Sequence, residues 1–128
     1  MSQSVQSMEK TFVAGADLSA KQYYFVKQDT DGEVIVAAGG TDKIVGILQN
    51  KPLAGEAALV RMFGTSKLRV NGTPGVGAYL TSGTSGDAGK GVATTTAGDV
   101  VRAIHLGDAA AADEDIVEVE LTYFHHKA

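Results

Sequence analysis

The feature that most constrains the fold of this chain is the alternation of apolar and polar residues in short runs. The clearest run is IVEVELTY (residues 116–123), whose apolar positions include Val117, Val119, Leu121 and Tyr123. Such a period of two is typical of a strand with one buried and one solvent-facing side. Two further runs, YYFVKQ (23–28) and EVIVAA (33–38), flank the turn sequence DTDG, which predicts a hairpin. The sequence therefore predicts an all-β chain.

Short stretches of the first half recur in the second half at a nearly constant spacing. TDKIVGI (41–47) resembles GDVVRAI (98–104), and Tyr24-Phe25 resembles Tyr79-Leu80. We expect a small β-barrel or β-sandwich-like domain built from two pseudo-repeated halves, each of about four strands, because closure removes exposed strand edges. Short β-patterns also match by chance, so the repeat is a hypothesis at this point.

The length fits one domain, with three expected segments. Residues 1–10 are polar and predict a flexible N-terminal arm, residues 11–124 a single β-rich domain, and residues 125–128 a C-terminal tail. The start of the chain lacks the apolar stretch of a secretory signal. No apolar run approaches the roughly 20 residues of a membrane span, so we expect no membrane partner.

Composition excludes several classes of function. The net charge is −4 and the 11 Lys and Arg residues are scattered, so nucleic acid is not an expected partner. The chain has no cysteine, which excludes disulfide frameworks and thiolate metal sites.

The ten residues SGTSGDAGKG (82–91) resemble a phosphate-binding loop but miss its spacing at both ends. The following GVATTT (91–96) is typical of a strand, so a hairpin turn with an outward-facing tip is the better interpretation. His105 is expected on the outer face of a strand, and Asp113–Asp115 lack the spacing of a calcium loop. The sequence predicts no catalytic, cofactor-binding or metal-binding residues and no cofactor; the protein is not expected to be an enzyme.

Two segments, AGADLSAKQYYFVK (14–27) and GILQNKPLAGEAA (46–58), carry a resemblance that extends over about residues 11–122. The chain resembles the small decoration (cement) proteins of tailed-bacteriophage capsids, a domain family formerly labelled as of unknown function or "recombinase-like". The recombinase label finds no support, because the nucleotide loop that it requires is broken.

The resemblance implies a structural protein that binds the outer surface of an icosahedral capsid and stabilises it. The implied partner is the major capsid protein, and the implied assembly is a homotrimer at three-fold or quasi-three-fold positions. The implied location is the capsid exterior of the virion, after synthesis in the cytoplasm of the bacterial host.

Candidate binding residues follow from exposure and patterning. We expect Val5, Met8 and Phe12 to anchor a capsid-binding arm that orders on contact, unless the arm has no role. The strand EAALVRMF (56–63) carries apolar residues on both faces, so Leu59 and Phe63 are candidates for a subunit interface. The alternative is that a neighbouring loop covers them.

Two other functions compete with capsid decoration. One is the base or stem domain of a phage head fibre or adhesin, for which further residues are expected beyond this domain. The other, less favoured, is a small ligand-binding β-barrel, perhaps for a sugar, which predicts a pocket with aromatic and convergent polar groups.

Overall fold

The computed structural model describes residues 7–94, 97–107 and 109–125. Their regular structure consists of one 3-10 turn (Ser85–Asp87) and the strands β1 (Met8–Val13), β2 (Phe25–Gln28), β3 (Val34–Val36), β4 (Ile44–Leu48), β5 (Ala57–Arg69), β6 (Tyr79–Ser82), β7 (Gly91–Ala93), β8 (Val100–His105) and β9 (Ile116–His125). The predicted all-β class is confirmed. Within these ranges, no helix has the length and apolar character needed to cross a membrane.

The strands form one curled antiparallel sheet in the order β3-β2-β4-β5-β9-β8-β6-β7, with β1 also paired to β5. The thirteen-residue strand β5 belongs to both halves of the chain. Its first part pairs with β1 and β4, and its second part pairs with β9. The order β3-β2-β4-β5 of the first half therefore recurs as β7-β6-β8-β9 in the second.

Backbone pairing confirms the two repeated halves and corrects their alignment. Phe25 pairs with Ile47 in the first half, and Tyr79 pairs with Ile104 in the second. The structural equivalent of Tyr79 is thus Phe25 and not Tyr24. The predicted alignment was wrong by one residue at β2 because the loops of the two halves differ in length.

In each half, one parallel bridge joins the two ends of the sheet, so that the sheet curls into a ring. Ala14 bridges to Val34 in the first half, and Val70 bridges to Gly91 in the second. These two bridges occupy equivalent places, at the ends of β1 and of β5. Each half is consequently a small, nearly closed barrel, whereas the sequence predicted one barrel formed by both halves together.

The two barrels share one sheet surface. A first buried cluster fills the first half and contains Ala14, Leu18, Val26, Val34, Leu48, Ala58 and Val60. A second cluster fills the second half, yet Phe25, Ala37, Ile44 and Ile47 of the first half belong to it. The start of β2 and most of β4 are therefore buried on both faces, since their outer face covers the interior of the second half.

The first strand starts inside the segment predicted to be a flexible arm. Met8, Glu9 and Lys10 belong to β1 and pair with β5, and Glu9 also forms an ion pair with Arg61. Residues 1–6 of the predicted arm lie outside the described residues. At the other end, β9 extends to His125, the first residue of the predicted tail.

One buried arginine joins the two halves. The Arg102 side chain donates from Nε to the carbonyl of Ile44 at 2.9 Å and from Nη2 to those of Val45 at 3.0 Å and Met62 at 2.9 Å. It also donates from Nη1 to the carbonyl of Thr122 at 2.5 Å. Burial lowers the pKa of Arg102 to about 10, so the guanidinium stays charged at neutral pH and makes charge-assisted bonds to strands β4, β5 and β9.

Replacing Arg102 by Met should destabilise the protein strongly, because several inward-facing carbonyls lose their donor. We expect a loss of about 3 kcal/mol or more in the free energy of unfolding, measured by urea denaturation. Arg69→Met is the matched control, since Arg69 donates to one exposed carbonyl, that of Glu114, and should cost less than about 1 kcal/mol. Equal losses for the two variants would contradict the joining role of Arg102.

Candidate functional site

An apolar groove of about 230 Å³ opens where β4, β5, β8 and β9 meet. It is lined by Lys43, Ile44, Val45, Met62, Phe63, Arg102 and Tyr123. The backbone carbonyls held by Arg102 belong to lining residues Ile44, Val45 and Met62. The bonds that join the two halves therefore also set the shape of the groove.

Two half-exposed aromatic rings flank the buried guanidinium. The Cζ atom of Arg102 lies 5.4 Å from the ring centroid of Phe63 and 5.3 Å from that of Tyr123. Both distances are within the range of cation–π attraction. Phe63 is 43% exposed and Tyr123 is 45% exposed. The buried guanidinium therefore holds both rings in position, and their outer faces remain accessible to solvent.

Exposed apolar surface continues from the groove onto β1. Met8 is the strand partner of Phe63 and is 48% exposed. Isolated apolar residues at a surface are common, whereas neighbouring ones mark interaction sites. Lys43 and the buried Arg102 are the charged residues of the lining, and the remaining lining suits an apolar or aromatic side chain.

The two predicted interface residues have different environments. Phe63 lines the groove, whereas Leu59 is half-buried and lies outside its lining. The Leu59 N–H donates to Asn50 Oδ1 at 3.0 Å, and its carbonyl accepts from the Gln49 N–H at 2.8 Å. A neighbouring loop thus contacts the backbone of Leu59. The interface role of both residues stays a prediction.

The residues predicted to anchor the arm also differ in their environments. Met8 is exposed at the start of β1, and Val5 lies outside the described residues. Phe12 is half-buried and packs against the core of the first half, with the Lys10 ammonium 5.7 Å from its ring centroid. Its side chain therefore faces the barrel interior and does not share the exposed surface of Met8.

The loop SGTSGDAGKG connects β6 to β7, as predicted for a hairpin. Its exposed part is limited to residues 84–86, and its remainder folds back on the first half. The Gly89 carbonyl accepts from the Phe25 N–H at 2.7 Å, and the Gly89 N–H donates to Ser82 Oγ at 2.9 Å. The loop is thus a contact between the two halves as well as a surface turn.

The lysine of this loop forms an ion pair. Lys90 Nζ lies 2.8 Å from Glu114 Oε2 and 3.3 Å from Asp87 Oδ1. The hydrogen bond to Glu114 raises the pKa of Lys90, and the same contact lowers the pKa of Glu114. Lys90 therefore fastens the loop to the segment before β9, a role unlike that of a phosphate-binding lysine.

The histidine prediction was wrong in one respect. His105 is buried, and its Nδ1 lies 2.8 Å from the Gly75 carbonyl. His105 is the last residue of β8, and its side chain faces inward because the loop before β6 packs over this end of the strand. A single sequence offers little to distinguish this position from an outward-facing one.

Among the described residues, three carboxylates lie close enough to hold a cation. The carboxylates of Asp29, Asp31 and Glu33 have oxygens within 4.8 Å of one another. Asp29 Oδ1 already accepts the N–H groups of Asp31 at 2.9 Å and Glu33 at 3.0 Å. This carboxylate therefore stabilises the β2–β3 turn, and this role alone explains why an aspartate occurs at position 29. Asp113 has a similar role, since it accepts the Gly72 N–H at 2.7 Å.

A larger open groove of about 710 Å³ lies on the outer side of β5 and β9 and is lined by Tyr23, Gln49, Arg61, Thr65, Ser66, Lys67, Ile116, Val117 and Glu118. Tyr23 is the one aromatic residue of this lining, and the Lys67 ammonium lies 5.8 Å from its ring centroid. The ligand-binding alternative requires aromatic and polar groups that converge on one ligand. This groove supplies polar groups but a single ring.

The sequence matches no family model and no curated protein. The fold is similar to that of the head fiber gp8.5 N base of bacteriophage phi29, known from a crystal structure. The match has a TM-score of 0.65 at 17% sequence identity and covers 94% of this chain and 100% of that chain. At this identity, the likeness shows a shared fold.

Gly89→Ala should loosen the contact between the loop and the first half. Gly89 has a φ of 81°, and an added Cβ would lie 2.4 Å from Val36 Cγ1. We expect a loss of about 1–3 kcal/mol in unfolding free energy. Gly86→Ala in the same loop meets no atom within 4 Å and should change stability by less than about 0.5 kcal/mol. Similar thermal midpoints for both variants would refute the contact.

Proposed function

We propose that this protein is a structural component of a phage virion, the base domain of a head fibre that binds the outer surface of the capsid. The observation that carries the proposal is the fold likeness to a phage head fibre base over 94% of this chain and the whole of that one. This likeness favours the head-fibre alternative over the decoration function that the sequence placed first.

The surface chemistry supports a binding role. The most distinctive site in the described residues is an apolar groove with two half-exposed rings. Groups of this kind bury area against another protein and need no reaction chemistry. A structural rather than an enzymatic role is part of the proposal.

The proposed assembly is a homotrimer on the major capsid protein at three-fold or quasi-three-fold positions. A trimer holds several capsid subunits at once, so weak individual contacts combine into tight binding. Phe63 belongs to the surface proposed for subunit contact, and Val5 and Met8 to the surface proposed for the capsid. The proposed location is consequently the exterior of the virion.

A fibre base and a decoration protein differ in what their binding accomplishes. A decoration protein stabilises the shell by mass action, because it binds the assembled state alone. A fibre base that binds the assembled shell also stabilises it by the same linkage, but the shell does not depend on a fibre base to stay intact. The integrity of shells that lack the protein therefore separates the two functions.

Electron microscopy of empty shells from the cognate phage, mixed with saturating protein, tests the proposal directly. We expect ordered density at three-fold or quasi-three-fold positions, and protein-free shells that stay intact under the conditions in which virions persist. Absence of added density at saturation would overturn both capsid functions. Added density together with protein-free shells that break under those conditions would favour decoration and overturn the fibre-base assignment.

Met8→Ser should weaken binding to these shells, whereas Val13→Ser should not. The two residues lie at opposite ends of β1 and are 48% and 45% exposed, which makes them matched. Burying one methionine side chain stabilises a complex by about 1.5 kcal/mol or more, so we expect about tenfold weaker binding by co-sedimentation. Equal affinities of the two variants would remove Met8 from the capsid contact.

A further inference from the structure

The two halves of the chain carry the same row of side chains on the outer face of the sheet, but only one row is covered. In the first half the row is Phe25–Ile47–Arg61, and in the second it is Tyr79–Ile104–Glu120. Each trio is joined by direct strand pairing, so the positions are equivalent.

Burial differs sharply between the two rows. Phe25 and Ile47 are 0% exposed because the interior of the second half packs over them. Tyr79 is 44% exposed, Ile104 is half-buried, and Glu120 is exposed. Phe124 extends the row, with its ring centroid 5.1 Å from that of Tyr79. The second row is thus an apolar outer face that nothing in the described chain covers as the first row is covered.

The complementary surface lies on the first half. In the second half, the residues around the covered row are almost fully buried: Leu68 is 0% exposed, Arg102 2% and Leu121 5%. Their equivalents in the first half, by the same pairing, are Phe12, Val45 and Met62. These three are only half-buried and pack at the edge of the first core, and Val45 and Met62 line the apolar groove.

We infer that a second copy of this chain supplies the missing cover, with its Tyr79–Ile104–Glu120 row placed on Phe12, Val45 and Met62 of its neighbour. The contact repeats between chains the packing that joins the two halves within one chain. The charges agree with this placement, since Glu120 stands at one end of the row and Lys43 lies in the groove lining. The inference deepens the proposed assembly of copies and is independent of the capsid.

Such a contact is heterologous, because each copy contributes one surface as a donor and a different surface as an acceptor. Heterologous contacts close into rings when the rotation between copies permits it. A ring of three satisfies both surfaces of every copy, in agreement with the proposed trimer.

Sedimentation of the full-length protein and two single-surface variants tests the contact. Wild type should be oligomeric, whereas Tyr79→Asp and Val45→Asp should each sediment as single chains, with affinity reduced at least tenfold. Leu53→Asp is the control: Leu53 is 51% exposed and belongs to neither surface, so this variant should match wild type. Circular dichroism melting identifies a variant that fails to fold, and Met62→Ser then replaces Val45→Asp.

Mixing the two variants gives the decisive readout. Tyr79→Asp keeps an intact groove and Val45→Asp keeps an intact row, so the mixture should form a one-to-one dimer that does not grow further. A monomeric wild type, unchanged assembly of Tyr79→Asp, or a mixture that stays monomeric would each overturn the inference.

Cross-linking provides a second test that does not depend on affinity. The chain has no cysteine, so Tyr79→Cys and Met62→Cys introduce the only thiols. A bismaleimide cross-linker that spans about 10 Å, the spacing of packed sheet faces, should join these two thiols, whereas Leu53→Cys with Met62→Cys should give no cross-linked dimer. Loss of capsid binding with assembly intact would overturn the proposed function alone, while a wild type that binds the capsid but sediments as a single chain would overturn this inference and leave capsid binding standing.

Discussion

The structure depends on the hydrogen bonds that the Arg102 guanidinium makes to carbonyls of β4, β5 and β9. A planar guanidinium has five N–H donors, two more than a lysine ammonium, and can therefore bond to the four carbonyls that converge here. The cost of burying its charge is offset by these charge-assisted bonds. Because Phe63 and Tyr123 lie over the same guanidinium, the interior bonds also position the exposed rings. The junction of the two halves and the candidate binding site are therefore one structural unit.

The repeat explains why the two halves share strand β5 and why one outer face of the sheet stays partly exposed. Strand β5 closes the first barrel and opens the second, so each half is built with the same pairing scheme. Covering, however, occurs in one direction only: the second half buries the Phe25–Ile47 face of the first, and the described residues leave its own Tyr79–Ile104 face partly exposed. A tandem repeat of this type leaves one donor and one acceptor surface at its two ends. Association of copies is the physical consequence that removes both.

The likeness to a phage head fibre base shows the fold, and the proposed function adds to it the chemistry of the surface. Binding proteins of this kind need shape, exposed apolar area and repeated copies rather than a reactive group. The distribution of apolar residues suits two separate tasks. Met8 and the segment before it are proposed for the capsid, whereas the groove and the outer row are proposed for the neighbouring copy. A decoration protein and a fibre base would share these surfaces and differ in whether the shell depends on them to stay intact.

Alternation and turn residues were sufficient to predict the all-β class, the hairpin at residues 29–32 and the existence of two halves, because these depend on local periodicity and on which residues tolerate a turn. The broken spacing of SGTSGDAGKG also correctly predicted a hairpin rather than a phosphate loop. The sequence could not predict that Arg102 is buried, that His105 faces inward, or that β1 begins at Met8, since each depends on partners more than 25 residues away in the chain. The exposure of Leu59 and Phe12 was also decided by tertiary packing, since a neighbouring loop contacts Leu59 and the first core packs against Phe12. Periodicity thus determined the strands and their two faces, whereas the tertiary packing of one half on the other decided which of those faces remain open for a partner.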